Sequence, residues 1–259
     1  MSKKTLFLGI AGLLLTIAGF SQAAHAIEAQ ATESCTPSSD DFAAIQAVQD
    51  DTTLAPSEAL AKELGLRKQL LSKTIACAKR DATDLQAVLE KTSIDEGGEI
   101  QAKLSDKLED AINFYDIQSA KLDTAGIRGT QSIAKEMQAW RTANYLPLEE
   151  QIGNFLLWTN NQSLFQTAQN RLTQTSRIVS FIENAAPGTG AQASLTTARN
   201  ALADAQEKNL AAKNALTQLQ SPDQSFSLIQ QSLQSLADAY KIFSDLNQLI
   251  QKLLPTGTK

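Results

Sequence analysis

Apolar residues recur at steps of three and four positions along almost the whole chain, and this spacing decides what the chain can fold into. Such steps place the apolar residues on one face of an α-helix, whereas a strand needs strict alternation, and no stretch shows convincing alternation. All six prolines fall between the periodic runs or in their first turn, where a helix tolerates proline. The sequence therefore predicts an all-α protein of long amphipathic helices.

The two most regular runs lie in the last third of the chain, after a break at residues 186–190. In the first run, two series repeat every seven residues: Leu195, Leu202, Asn209 and Leu216, and Ala198, Ala205, Ala212 and Leu219. In the second, the predicted series are Phe226, Leu233, Tyr240, Asn247 and Leu254, and Ile229, Leu236, Phe243 and Ile250. Heptad spacing indicates shallow-angle helix packing. We expect an elongated up-and-down bundle built from antiparallel coiled-coil hairpins.

Two asparagines, Asn209 and Asn247, interrupt these otherwise apolar or small series. An asparagine in a coiled-coil seam can set the register of the helices at some cost in stability. The two residues lie at different distances from the turn near Ser221, so we do not expect them to face each other in a simple hairpin. A register role and a polar residue tolerated beside water or another helix both stay open.

The breaks divide the chain into four predicted segments. Residues 1–26 are a cleaved signal peptide, and residues 27–55 form an N-terminal segment with a short helix, tethered by a disulfide. Residues 56–186 form a helical bundle with a kink near Pro147, because proline disrupts the hydrogen bonding of a helix. Residues 187–259 form a helical hairpin, which we expect to pack on the same bundle.

The first segment has the pattern of a secretory signal: basic residues 2–4, an apolar run over 6–20, and the small-residue end Ala24-His25-Ala26. The apolar run is shorter than the ~20 residues that cross a bilayer, which favours cleavage over an uncleaved anchor. We expect a periplasmic or extracellular protein with no membrane span after cleavage. The nearest cysteine, Cys35, lies too far from the cleavage point for a lipid anchor.

Cys35 and Cys77 are the two cysteines of the chain. In an oxidising compartment an even number of cysteines favours a disulfide. The two do not form a Cys-x-x-Cys motif, which disfavours a redox-active pair. We therefore predict a Cys35–Cys77 disulfide that ties the N-terminal segment to the helix that carries Cys77.

The composition argues against catalysis. The single histidine, His25, leaves with the signal peptide, so the remaining chain cannot build a Ser-His-Asp triad, a haem site or a usual di-iron site. The sequence also contains no phosphate-binding glycine loop. Adjacent acids such as Glu149 and Glu150 do not face each other on a helix. We predict no enzyme activity, no catalytic residue, no cofactor and no bound metal.

The charge of the chain is −5, and the acidity is concentrated between residues 27 and 126. Nucleic acids and anionic membrane surfaces attract basic proteins, so we expect neither as a partner. Solubility explains the acidity more simply than a basic partner does.

Aromatic residues cluster around Pro147, and the candidate partner or ligand patch comprises Trp140, Arg141, Tyr145, Phe155 and Trp158. Tryptophan, tyrosine and arginine dominate binding hot spots, which favours a partner patch or a pocket at the kink. Large aromatic side chains also fill cores, and a kink that widens the bundle needs such filling. Both interpretations stay open at this point.

These observations favour an exported, non-enzymatic helical scaffold or interaction protein of the cell envelope or extracellular space, with an unidentified protein partner. One alternative is a small-ligand-binding protein with a pocket near Pro147. A second alternative is a protein that associates with lipid through its amphipathic helices. A homo-oligomer that pairs through the heptad seams is a further option, because such seams close within one chain or between chains.

Overall fold

The computed structural model of the protein describes residues 38–92 and 97–253. These residues form helices and connecting turns and contain no strand, which confirms the all-α prediction. In chain order the elements are α1 (Ser39–Asp50), α2 (Pro56–Lys91), α3 (Gly98–Thr124), α4 (Ile127–Trp140), a π-helical turn (Arg141–Tyr145), α5 (Leu146–Ala185), α6 (Ala191–Thr217) and α7 (Pro222–Leu253). The predicted signal peptide and Cys35 lie outside the described residues, so export and the disulfide stay predictions.

The described residues divide into two compact units. Unit one comprises the residues up to Asp84 and those from Asp110 to Ala139, and unit two comprises Leu85–Glu109 and the residues from Trp140 onward. The long helices α2 and α3 therefore contribute residues to both units. The segment boundaries predicted at residues 55 and 186 lie at breaks between helices, whereas the unit boundaries fall within α2 and α3. The predicted segments therefore stay predictions.

Unit one has a small apolar interior. It is formed by Ile75, Ala78 and Ala82 of α2, Ala111, Tyr115 and Leu122 of α3, and Ile133 and Met137 of α4. Leu60, in the first half of α2, is exposed. Helix α1 has no fully buried residue, and its Phe42 is also exposed. The interior of this unit therefore starts about halfway along α2.

Helices α5, α6 and α7 pack against one another in unit two. The side-chain contacts that set their directions are, from α5 to α6, Gln162–Asn209 and Gln169–Gln206, and, from α5 to α7, Asn154–Ser225 and Leu164–Tyr240. From one contact to the next, the residue number on α5 increases while that on α6 decreases. In the contacts between α5 and α7, both residue numbers increase. Helix α6 is therefore antiparallel to both neighbours. The shared core consists of Phe165, Ala168, Ala198, Leu202, Ala205, Leu236, Ala239 and Phe243.

Six of the eight predicted heptad residues of α6 are buried, whereas one predicted series of α7 is wrong. The buried residues of α6 include the predicted Leu195, Leu202, Leu216, Ala198, Ala205 and Ala212. In α7 the series from Ile229 to Ile250 is buried, but the second buried series is Ser225, Ser232, Ala239 and Leu246, one residue before the predicted series from Phe226. Small side chains let helices approach closely, so serine and alanine occupy the inner positions and Phe226 is left exposed.

Leu219 also departs from the predicted series, because α6 ends at Thr217. The backbone of Leu219 is left-handed, with φ of 50°. Its N–H donates to the Leu216 carbonyl at 3.1 Å, and the Gln220 N–H donates to the Ala215 carbonyl at 3.0 Å. This pair of bonds is the Schellman arrangement that closes a helix end. Leu219 therefore belongs to the turn between α6 and α7.

Candidate functional site

Pro147 is preceded by a widened turn in a continuous run of helix. The Leu146 N–H donates to the Arg141 carbonyl, five residues earlier, as in a π-helix. Proline lacks an N–H, and its ring clashes with the carbonyl four residues before it in a regular α-helix. The predicted disturbance at Pro147 therefore takes the form of a π-helical turn at Arg141–Tyr145.

The candidate patch lies mostly in the interior of unit two. Tyr145, Phe155 and Trp158 are each at most 2% exposed, whereas Trp140 and Arg141 are half-buried. The rings of Phe155 and Trp158 stack with centroids 6.3 Å apart, and the Arg141 guanidinium lies 4.8 Å from the centroid of the Tyr145 ring. Tyr145, Phe155 and Trp158 therefore cannot form an exposed partner patch. Their burial favours the interpretation that large side chains fill the space around the kink.

Two hydrogen-bond donors near these rings lack a partner among the described residues. They are Trp158 Nε1 and Asn161 Nδ2, and both atoms are buried. The residues are three positions apart on α5, so their side chains are neighbours on the helix surface. The Lys213 ammonium of α6 lies 5.8 Å from the centroid of the Trp158 ring. Chemically, this arrangement suits a small group that offers a hydrogen-bond acceptor.

A buried polar cluster, formed by Gln151, Asn154 and Ser225, joins α5 to the start of α7. Asn154 Nδ2 donates to Ser225 Oγ at 3.0 Å and to the Pro222 carbonyl at 2.9 Å. Ser225 Oγ donates to Gln151 Oε1 at 3.1 Å, and Gln151 Nε2 donates to the Gln220 carbonyl. Two α5 side chains thereby satisfy one backbone carbonyl of the turn between α6 and α7 and one at the first residue of α7. The cluster fixes where that turn sits against α5.

Sequence reasoning missed this cluster, although the sequence carried a signal for it. Gln151 begins a seven-residue series on α5 that continues with Trp158, Phe165, Leu172 and Val179. A polar residue in such an inward-facing series needs a buried hydrogen-bond partner. The partners are backbone carbonyls of a turn about 70 residues away in sequence, which periodicity does not reveal.

The open question about the two seam asparagines has a separate answer for each. Asn209 Nδ2 donates to Gln162 Oε1 at 3.1 Å, and Gln162 Nε2 donates to Asn209 Oδ1 at 3.3 Å. This reciprocal amide pair links α6 to α5 at one register. Asn247 is exposed on the surface of α7. The register role therefore fits Asn209, whereas Asn247 is a tolerated surface residue.

The carboxylates with clearly shifted pKa values are held in their ionised form by local partners. Asp204 is representative: hydrogen bonds from Lys208, at 2.6 Å, and from Ser235 lower its pKa. Hydrogen bonds from Lys121 and Ser132 lower the pKa of Glu136 in the same way. A carboxylic acid that donates a proton near neutral pH needs the opposite shift. Within the part of the chain that the structure describes, no three His, Cys, Asp or Glu residues group as metal ligands.

A surface cleft of about 340 Å³ lies in unit one. Its lining is mostly polar and consists of Lys68, Gln69, Ser72, Ser119, Leu122 and Asp123. The Lys68 ammonium donates to the Asp123 carbonyl at 2.7 Å, near the end of α3. Its charge therefore compensates the negative end of that helix, which is a structural role.

The outer surface of α5 carries two large apolar side chains near its C-terminal end. Ile178 is 42% exposed and Phe181 is 66% exposed. Residues three positions apart share one face of a helix, so the two side chains are adjacent. We call this pair the α5 apolar pair. Among the described helices, none has the length and apolar character required to cross a bilayer.

Comparisons with protein-family models, with curated proteins and with solved structures found no match to this chain.

Proposed function

We propose that the protein is an exported, non-enzymatic helical scaffold or interaction protein of the cell envelope or extracellular space. The observation that carries the proposal is the α5 apolar pair, Ile178 and Phe181, on the outside of the packed helices α5, α6 and α7. An exposed apolar side chain is common by itself, but adjacent ones on a rigid helix suit a partner surface. The partner is a protein, because an apolar helix face buries well against another apolar protein surface.

Export rests on the pattern of residues 1–26. The non-enzymatic part rests on the lack of histidine beyond residue 26 and on the lowered pKa values of the surface carboxylates. A scaffold also needs one defined shape. The buried polar cluster and the Gln162–Asn209 pair supply it, because each is satisfied at one register of α5, α6 and α7.

We extend the proposal to the packing of α6 and α7 as an antiparallel coiled-coil hairpin. Buried residues of α6 alternate at steps of four and three from Ala191 to Ala205, and the half-buried Asn209 continues the alternation to Ala212 and Leu216; buried residues of α7 alternate in the same way from Ser225 to Ile250. The Ser232 hydroxyl donates to the Ala205 carbonyl at 2.8 Å, which requires a close approach of the two helices. This combination is typical of coiled-coil packing with small residues in the seam.

The test is affinity capture of the exported protein from its native envelope and medium, with chemical cross-linking. The variant replaces both residues of the α5 apolar pair, as Ile178→Gln with Phe181→Gln. The matched control is Phe226→Gln, which alters another exposed aromatic residue on a different helix. Loss of a cross-linked protein in the double variant, with retention in the control, supports the proposal. The same partners in all three proteins would contradict it.

A second candidate function is binding of a small molecule that offers a hydrogen-bond acceptor. The two unpartnered donors, Trp158 Nε1 and Asn161 Nδ2, favour it. An unmatched buried donor costs about 1–3 kcal/mol, so an acceptor that reaches both would stabilise the fold. In a thermal-shift screen of small carboxylates and amides, a binder should raise the melting temperature of the wild type. The same compound should act less on Trp158→Phe, whose ring lacks the N–H.

A further inference from the structure

The α5 apolar pair lies on a part of the chain whose charged residues are all arginines. Helix α5 contains no aspartate or glutamate from residue 151 to residue 182, and α6 contains none from residue 191 to residue 203. The charged residues of these two stretches are Arg171, Arg177 and Arg199, and all three are exposed. Since the whole chain has a formal charge of −5, this surface differs in sign from the molecule that carries it.

Two of the arginines lie on the outer side of α5, beside the apolar pair. Ile178 follows Arg171 by seven positions, and Phe181 follows Arg177 by four, so each apolar residue shares a face of the helix with one arginine. The Arg171 guanidinium lies 5.2 Å from the centroid of the Tyr240 ring, which holds it toward α7. The two arginines therefore flank the α5 apolar pair.

The third arginine comes from α6. Gln206 Nε2 donates to Gln169 Oε1 at 3.3 Å, so this side of α6 faces α5. Arg199 lies seven positions before Gln206 and therefore on the same side of α6. Because the two helices are antiparallel, Arg199 is level with Ser176, which is the neighbour of Arg177. The exposed surface of α5 and α6 thus combines two apolar side chains with three guanidinium groups.

These arginines are available to a partner. Glu183, the next acidic residue of α5, accepts hydrogen bonds from the Thr189 hydroxyl at 2.7 Å and from the Gly188 N–H at 3.2 Å, in the loop that follows the helix. Within the part of the chain that the structure describes, neither Arg177 nor Arg199 forms an ion pair. The charge of this surface is therefore not compensated locally.

We propose that Arg171, Arg177 and Arg199, together with the α5 apolar pair, bind an acidic surface of the protein partner. This step rests on the proposed function, since it names the chemistry of the partner that the α5 apolar pair binds. A guanidinium group binds a carboxylate through paired hydrogen bonds, and it is more weakly hydrated than an ammonium group, which suits it to an interface. The partner surface carries aspartate or glutamate around an apolar centre.

An anionic bilayer suits this surface less well than an acidic protein does. Polybasic segments that bind anionic lipid contain roughly four to eight basic residues, whereas this surface has three arginines. A bilayer also extends beyond the contact, so its charge would repel the rest of a chain with a formal charge of −5. A protein partner can confine its carboxylates to the contact itself.

The test uses the full exported protein and two labelled synthetic peptides, with binding measured by fluorescence anisotropy. One peptide repeats leucine and glutamate, and the other has glutamine in place of each glutamate. The wild type should bind the glutamate peptide at least about tenfold more tightly at low salt, and the difference should shrink at about 0.5 M salt, because salt screens exposed charges. Equal binding of the two peptides, or binding of neither, would overturn the proposal.

Two double variants assign this preference to the arginines. Arg177→Gln with Arg199→Gln removes two positive charges from the surface and should bind the two peptides with nearly equal affinity. The matched control is Arg128→Gln with Lys135→Gln, which changes the net charge equally at exposed positions on α4, and it should keep the preference of the wild type. If both double variants lose the preference equally, it reflects net charge alone and the proposal is wrong.

Sedimentation with vesicles of phosphatidylglycerol and phosphatidylcholine tests the bilayer directly. The wild type should stay in solution. Co-sedimentation that is lost in Arg177→Gln with Arg199→Gln would mean that this surface binds anionic lipid, and it would refute the proposal of an acidic protein partner.

The variant Ile178→Gln with Phe181→Gln separates this proposal from the proposed function. It should weaken the binding of both peptides. If the wild type binds both peptides equally and this variant binds neither, the α5 apolar pair is a partner surface and the acidic partner is wrong. If this variant instead keeps the full preference for the glutamate peptide, the result supports an acidic partner and contradicts the role proposed for the α5 apolar pair.

Discussion

Amide side chains inside unit two occupy heptad positions that apolar residues usually fill. Gln162 and Asn209 satisfy each other through two hydrogen bonds, and Gln162 also donates to the Trp158 carbonyl at 2.6 Å. A half-buried amide without its partner bears a desolvation cost that the pair avoids. The main effect of this pair is therefore on the register of α5 against α6. It destabilises shifted registers more than it stabilises the native one.

Asn209→Ala should lower the free energy of unfolding by about 1–2 kcal/mol, because it leaves the Gln162 amide partly unmatched. The measurement is urea denaturation. Gln162→Ala and the double variant complete a double-mutant cycle, for which we expect a coupling of about 1 kcal/mol. The control is Asn214→Ala, an exposed asparagine on the same helix, which should change stability by less than about 0.5 kcal/mol. A coupling near zero would show that the pair does not act as a unit.

Asp204 should make the stability of the protein depend on acid pH. Its pKa is lowered from 3.8, first by the hydrogen bond from Lys208 and then by that from Ser235. A carboxylate with a lowered folded-state pKa contributes stability above its unfolded pKa and loses it as the pH falls through the folded value. We therefore expect stability to decline below about pH 4, and less steeply in Asp204→Asn. Urea denaturation at several pH values checks this. Asp245→Asn, at an exposed site on α7, is the control, and equal slopes in both variants would refute the assignment.

Periodicity predicted the helices themselves well, and it was least reliable where packing between helices decides which face is buried. In α7 two adjacent seven-residue series, from Ser225 and from Phe226, were both candidates for the buried face. The larger side chains of Phe226 and Leu233 favoured the wrong series. The inner series contains Ser225 and Ser232, whose hydroxyls find acceptors on α5 and α6. Those acceptors come from distant parts of the chain, so α7 alone does not reveal that its serines face inward.

The same reasoning predicts a low tolerance for larger residues in the seam of α6 and α7. Ala205 is fully buried, and its carbonyl accepts the Ser232 hydroxyl. Ala205→Leu should therefore lower the free energy of unfolding by about 1–3 kcal/mol, because added methylene groups force packed helices apart. Ala203→Leu, on the exposed side of α6, is the matched control and should be nearly neutral. If Ala205→Leu and Ala203→Leu change the free energy of unfolding equally in urea denaturation, the seam can accommodate a larger side chain.

For the whole molecule, the aromatic cluster shows what the sequence could and could not predict about a site. The grouping of Trp140, Tyr145, Phe155 and Trp158 around Pro147 is visible in the sequence. Whether these rings face solvent depends on the helices that cover them, and Tyr145, Phe155 and Trp158 are covered. The α5 apolar pair was missed for the converse reason: Ile178 and Phe181 fit a helical apolar pattern, but the structure leaves them outside. A pattern of spacing therefore identifies apolar faces without identifying their partners.

The interior of unit two is closed within a single chain, and this predicts how the stability of the protein responds to concentration. The seam residues of α6 and α7, such as Leu202 and Leu236, are buried by other residues of the same chain. An oligomer held by the seams would have to open this core. The melting temperature should therefore stay constant over about a hundredfold range of protein concentration, because only folding coupled to association depends on concentration.

Differential scanning calorimetry at several protein concentrations checks this prediction. If the melting temperature does depend on concentration, the double variant Ile178→Gln with Phe181→Gln shows which surface joins the chains. A melting temperature that rises with concentration in the wild type and stays constant in the double variant would mean that copies associate through the α5 apolar pair. A rise that persists in the double variant would mean that the seams themselves join chains, since the outer pair is then absent. That second outcome would contradict the closed interior, and it would require Ala205→Leu to weaken association as well as folding.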